Sequence, residues 1–108
     1  MSSEPIPQVD RVVHEPARMA ILSVLAGVRD ADFLFLESLL GLSRGNLSSH
    51  LARLESVGYV QVTKTFRGRR PHTAVSITDA GRRAREAHWV ALEALRSVGR
   101  KGAGEGQA

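Results

Sequence analysis

The chain has 108 residues, 43% of them hydrophobic, and so holds one domain whose core can stand alone. It contains no cysteine, which excludes disulfides, thiol redox chemistry and cysteine metal sites, and no apolar run nears the roughly 18 residues of a membrane span. The net charge of +4 is unevenly spread: residues 1–42 carry three Arg against six Asp and Glu, residues 43–77 six Lys and Arg against one Glu, and residues 78–108 six Lys and Arg against four Asp and Glu. A central basic block of this kind is either the footprint of a polyanion binder or a solvated face.

The opening MSSEPIPQVD has neither a basic n-region nor an apolar h-region, so no secretory signal is expected and the compartment expected is the cytoplasm. Residues 1–9 hold two prolines and no periodicity and read as a flexible arm. The first helix begins at Glu15-Pro16, because proline suits the first helical turn. Ile21, Leu22 and Leu25 form its apolar face, Gly27 ends it, and Val12 and Val13 form a short turn before it. Asp32 is the N-cap of a second helix, with Phe33, Leu36 and Leu40 at i, i+3 and i+7 and Gly41 closing it.

Ser43 caps a third helix, whose Leu47, Leu51 and Leu54 fall on one face and which Gly58 stops. Gly45, Asn46, Ser49, Ala52 and Arg53 point the other way, with Arg44 and His50 on the flanks. After Gly58 the period changes from 3.6 to 2: Val60 and Val62 alternate with Gln61 and Thr63, and Val75 and Ile77 with Ala74 and Ser76. Between them lies the turn-prone, basic Phe66-Arg67-Gly68-Arg69-Arg70-Pro71, so the segment reads as a β-hairpin with an arginine tip. Thr78 or Asp79 caps a last helix over 79–98, and the Gly-rich 99–108 is expected to be a disordered tail.

Helix, helix, three-residue turn, helix, hairpin is the order of a helix-turn-helix followed by a wing. The expected fold is therefore mostly α with a small β-hairpin wing (α+β), a winged helix-turn-helix over residues 10–98. The leucines dock the third helix, and its outer face stays short and polar near the N-terminus. There Arg44, Asn46, His50 and Arg53 can offer hydrogen bonds to base edges and phosphates, and the wing arginines can reach backbone or minor groove.

The last helix carries a second pattern. Ala84, Ala87, Ala91, Ala94 and Val98 recur at steps of 3, 4, 3 and 4, Leu92 and Leu95 widen the stripe, and His88 lies between. This is a heptad seam, and it predicts a homodimer through the C-terminal helix. Trp89 lies off that seam, beside Arg85 and Arg96, and its environment stays open between stacking on arginine, cover by Val12 and Val13 of a partner chain, and a ligand pocket.

Catalytic patterns are missing: there is no G-x-S-x-G, no H-E-x-x-H and no Walker glycine loop, so no enzyme is expected. Asp30 and Asp32 precede a helix and read as caps. His14, His72 and His88 show no metal-ligand spacing, and neither metal nor cofactor is expected.

The strings HEPARMAILSVLAG, DFLFLESLLGLSRGNLSSHLARLESVGYV, FRGRRPHTAVSIT and TDAGRRA resemble the small MarR/ArsR-like winged helix transcriptional regulators of prokaryotes, over about residues 10–98. The resemblance implies a DNA-binding repressor or activator, a homodimer, with the third helix in the major groove. By that match Ser43, Arg44, Asn46, Ser49, His50 and Arg53 face DNA, with Arg67, Arg69 and Arg70 at the wing. It also brings in a small-molecule effector by analogy, for which the sequence itself shows no site. Metal-sensing members carry cysteine ligands, which this chain does not have.

Two other readings stand beside this one. A winged helix can serve as a protein–protein adaptor, which aromatic or aliphatic residues on the outer face would favour. An RNA reader would expose stacking aromatics, and the two near the basic region, Tyr59 and Phe66, are expected in the hairpin core instead.

Overall fold

A proline and an acidic cap start the first helix. In the computed structural model, which describes residues 6–105, α1 (Pro16–Ala26) follows Glu15, whose Oε2 accepts the Arg18 amide at 2.8 Å. After a two-residue strand β1 (Ala31–Asp32), the helix α2 (Phe33–Leu40) is capped by Asp32, whose Oδ1 accepts from Leu34 N at 2.9 Å. Gly41, with φ of 63°, turns the chain out of α2 and into α3 (Arg44–Ser56). Ser43 Oγ caps α3 by accepting from Asn46 N at 3.1 Å. The strands β2 (Val60–Arg67) and β3 (Arg70–Ile77) form the hairpin, and α4 (Asp79–Glu105) completes the chain.

The sheet has the antiparallel order β1-β3-β2. Val60 pairs with Ile77, Val62 with Val75 and Arg67 with Arg70, so the hairpin closes through Gly68-Arg69 at its tip. The third strand was not visible in the sequence. Ala31 and Asp32 pair with Val75 and Ala74, and two residues are too few to show a period of two.

Ile21, Leu22 and Leu25 of α1, Leu36 of α2 and Leu47 and Leu54 of α3 meet in one core with Val75 of the sheet, each fully buried. The start of α4 presses on this lobe. A Cβ on Gly81 would stand 2.1 Å from the Tyr59 carbonyl oxygen, so only glycine allows that approach. Thr78 Oγ1 accepts from Gly81 N at 3.0 Å, making Thr78 the cap of the last helix. Arg82 Nη1 donates to Ala26 O at 3.0 Å and Arg85 Nε to Ser23 Oγ at 3.4 Å, which fastens α4 to the C-terminal half of α1.

One expectation about the ends changes. The tail expected from residue 99 is helical to Glu105: glycine costs a helix about 1 kcal/mol relative to alanine without breaking it, and Arg100 Nη2 reaches back 2.9 Å to Glu93 Oε1. Residues 1–5 of the expected arm and 106–108 of the expected tail lie outside the described residues. Val13, considered as cover for a partner's Trp89, is buried in its own core, and Trp89 packs edge-on to His88 with ring centroids 6.0 Å apart.

His88 is the one buried charged-type residue among those described, 2% exposed, and neither ring nitrogen has a partner. Burial holds its pKa below the ordinary histidine value, the neighbouring His14 ring at 5.3 Å adds to this, and Asp10 opposes it. The folded state therefore binds fewer protons than the unfolded chain, and this part of the stability is lost as pH falls below the unfolded value of about 6.5. Thermal melts should show a falling midpoint from pH 7 to 5. His88→Leu should flatten that fall while leaving the midpoint at pH 7.5 unchanged or higher, since an unpartnered buried imidazole gives way to an apolar group.

Candidate nucleic-acid interface

The outer face of α3 follows from its inner one. With Leu47, Leu51 and Leu54 buried, the helical period turns Asn46, Ser49 and Arg53 to solvent, where all three are exposed. Gly45 and Ser48 are exposed beside them, so backbone and short side chains line the N-terminal half of this face. Ser43 is exposed too, but its Oγ is already committed to the cap. Arg44 is 73% exposed and sits 3.8 Å from Glu37 Oε2 of α2, a loose surface pair that leaves the guanidinium free to swing.

His50 departs from the other expected contacts. Its side chain is only 21% exposed and turns toward α1, with Nδ1 3.2 Å from Arg18 Nη1 and 3.6 Å from Glu15 Oε2. Burial pushes the Glu15 carboxyl up, but the Arg18 and Ala17 amides, then His50 and the Arg18 charge, hold it below its ordinary value overall. Arg18 and Glu15 were missed in the sequence as partners of this helix, because 32 positions separate Arg18 from His50 and no periodicity spans such a gap.

The wing behaves as its composition suggests. Arg67, Arg69 and Arg70 are all exposed at the hairpin end, and Lys64 on β2 adds a fourth exposed cation that the sequence reading had not singled out. Phe66 is not hairpin core. It is 72% exposed, opposite Pro71 near the tip. Tyr59, by contrast, packs against the core, and its hydroxyl donates to Asp10 Oδ2. That bond, with burial and the Asp10 charge, raises the tyrosine pKa. At the wing root His72 Nδ1 lies 3.5 Å from Asp32 Oδ2.

A polar helix face and an arginine-tipped hairpin thus stand on one lobe, and comparisons with known proteins agree with that arrangement. Residues 17–96 match the model of a winged helix DNA-binding domain. The chain belongs to the winged helix DNA-binding domain family. An uncharacterized protein of Methanocaldococcus jannaschii is 35% identical over 72 residues, 67% of this chain and 78% of that protein. The structure of a transcriptional regulator homologue from Pyrococcus horikoshii OT3 superposes with a TM-score of 0.68 at 36% identity, covering 82% of this chain and 85% of that one. A regulator of the MarR family from Enterococcus faecalis V583 shares the fold, with a TM-score of 0.59 at 18% identity over 90% of this chain and 81% of the other.

Three further features of this winged helix bear on function. Among the seam residues, Ala84 packs partly on its own core, Ala87 is exposed, Ala91, Leu92, Ala94 and Leu95 are half-buried, and Val98 is 55% exposed. A cleft of about 390 Å³ opens beside the start of that seam, lined by Gln8, Asp10, Tyr59, Ala80, Arg83, Ala84, Ala87 and His88. On α2, Leu34, Phe35 and Leu39 form an exposed apolar ridge. Among the described residues no three His, Cys, Asp or Glu side chains are grouped so as to hold a metal ion, and no helix is long and apolar enough to cross a membrane.

The two faces of α3 predict opposite phenotypes. Ser49→Ala should cost about 1–3 kcal/mol of binding to a selected DNA site and little on random duplex, if the hydroxyl meets a base edge. Leu51→Ala should instead lower folding stability by about 2–5 kcal/mol through a core cavity. Paired titrations and denaturant melts separate the two.

Proposed function

We propose that the protein is a transcriptional regulator that binds double-stranded DNA sequence-specifically as a homodimer, with α3 in the major groove and the wing on the backbone or minor groove. The observation that carries this reading is the placement of charge. Arg44, Arg53, Lys64, Arg67, Arg69 and Arg70 are all exposed, and they lie on the two elements a winged helix brings to DNA. Between them, Asn46 and Ser49 supply the short hydrogen-bonding groups that read base edges. In this reading the Ser43 hydroxyl proton, left over when its oxygen caps Asn46 N, and the amides at the start of α3 take a phosphate, as helix N-termini do.

The dimer in this proposal uses the alanine seam of α4. The helix has 27 residues, about 40 Å of rise, and the molecule measures 69 Å along its longest axis against 25 and 21 Å across. Its C-terminal half therefore stands off the lobe with Val90 and Val98 exposed, a face that a second copy would cover. Two recognition helices would then sit about 34 Å apart on an inverted repeat.

An effector belongs to the proposal on one observation: the cleft beside the seam is lined by the polar groups of Asp10, Tyr59 and Arg83, which a small molecule could meet. The adaptor reading keeps one observation in its favour, the exposed Leu34, Phe35 and Leu39 ridge, which is apolar enough to meet a protein partner. The ridge lies on α2, however, and not on the α3 face.

Two measurements test the proposal. Fluorescence anisotropy with duplex DNA at rising salt should show binding whose slope of log K against log salt becomes shallower by about 0.9 for each phosphate contact removed in the Arg67→Ala, Arg69→Ala, Arg70→Ala triple variant. An unchanged slope takes the wing off the DNA, and no binding at low salt favours the adaptor. Sedimentation at micromolar concentration should give twice the chain mass of 11.7 kDa, and Ala91→Glu should reduce it to the single-chain mass with the lobe still folded.

A further inference from the structure

On α3, His50 lies on the flank next to Asn46 and Arg53, at i+4 from the first and i−3 from the second, between the buried leucine face and the exposed face assigned to DNA. Unlike those two it is anchored from behind. Arg18 Nη1 stands 3.2 Å from its Nδ1, and a guanidinium has donors only, so the neutral ring takes this bond with Nδ1 as acceptor; Glu15 Oε2, 3.6 Å from the same nitrogen, is beyond hydrogen-bond distance and already accepts the Arg18 amide. The ring proton is then on Nε2, the nitrogen on the opposite side of the imidazole from Arg18.

Arg18 is itself held. Its Nε donates to Val12 O, its backbone amide donates to Glu15 Oε2, and Glu15 caps α1 through that bond. Val12 in turn belongs to the turn that Asp10 Oδ1 ties by accepting from Val12 N at 2.9 Å and Val13 N at 3.3 Å. The guanidinium thus cannot drift away from His50 without giving up its bond to Val12 O. Its charge also disfavours a proton on Nδ1, because an N–H there would point at a cation.

We propose that Arg18 is a positioning residue for the DNA interface: it fixes His50 as the Nε2–H tautomer, so that the ring offers a hydrogen-bond donor to a backbone phosphate beside Asn46 and Arg53. The inference rests on the DNA-binding reading above and deepens it. A His50 free on the surface would sample both tautomers and several rotamers, and would lose that freedom on binding. The Arg18 bond removes that cost in advance. It also makes His50 a contact that positions the backbone, not one that reads a base.

The test reads tautomer and binding separately. Long-range nitrogen–proton correlation spectra of the free protein at pH 8 should show His50 with its proton on Nε2, and Arg18→Met should shift the ring toward the other tautomer or a mixture, with Arg18→Lys restoring the wild-type signature. On a random 24-base-pair duplex, Arg18→Met and His50→Asn should each bind about tenfold more weakly and lower the salt slope by about 0.9, the value for one phosphate. His50→Gln, whose amide reaches where Nε2 stands, should recover most of the affinity that His50→Asn loses. A wild-type His50 with its proton on Nδ1 overturns the inference. So does an Arg18→Met variant that melts lower yet keeps the tautomer and the slope. If the wild-type protein binds no duplex even at low salt, the DNA reading fails and the phosphate contact with it, while the tautomer in the free protein still reports whether Arg18 sets it.

Discussion

Three leucines leave α3 no choice of orientation. Leu47, Leu51 and Leu54 are all but removed from solvent, each worth about 1.5–3 kcal/mol in apolar burial, and a rotation of the helix by even one position would bring one of them out. The opposite face is therefore fixed as firmly as the core is packed. The basic wing is fixed in the same way, because Val60, Val75 and Ile77 hold its root in that core and the hairpin register carries the arginines to the far end. The surface proposed for DNA is the outside of a packing problem solved on the inside.

The segment before α1 does more than lead into the helix. Asp10 receives the Tyr59 hydroxyl and two backbone amides, which outweigh the upward push of burial and hold its carboxyl below the ordinary range. Val13 enters the core, His14 meets His88 of α4, and Arg18 meets His50 of α3. One short stretch thus touches the helix assigned to DNA and the helix assigned to the second copy. The cleft lined by Asp10, Tyr59 and His88 lies along the same stretch, and Tyr59 N donates to Leu54 O at 3.0 Å, so whatever fills it meets a residue bonded to α3.

Much of this was legible in the sequence, and the legible part is local. Caps announce themselves by residue type: Asp32, Ser43 and Thr78 all stand where an oxygen must accept an orphan amide, whereas the Glu15 cap showed only through the proline that follows it. The change of period after Gly58 gave the hairpin, and the spacing of the leucines gave the inner face of α3. What could not be read was non-local. β1 is defined by its partner strand and not by its own two residues, and Arg18 and His50 meet only because α1 crosses α3. His88 looked like a seam residue, yet it is buried against His14 from the other end of the chain. Phe66 was assigned to the hairpin core by its apolar character, but at the tip of a two-stranded wing there is no second layer to cover it. The glycines after residue 98 read as a helix end, but glycine weakens a helix by a finite amount and the Arg100–Glu93 pair spans Gly99.

The central claim is that α3 and the wing together form a surface for duplex DNA. Mapping amide chemical-shift changes on adding a random-sequence duplex at low salt tests it most directly. The account predicts that the largest changes fall at residues 43–53 and 64–70, and that Leu34, Phe35 and Leu39 stay unmoved. Changes centred on that α2 ridge, or no changes at all, would contradict it.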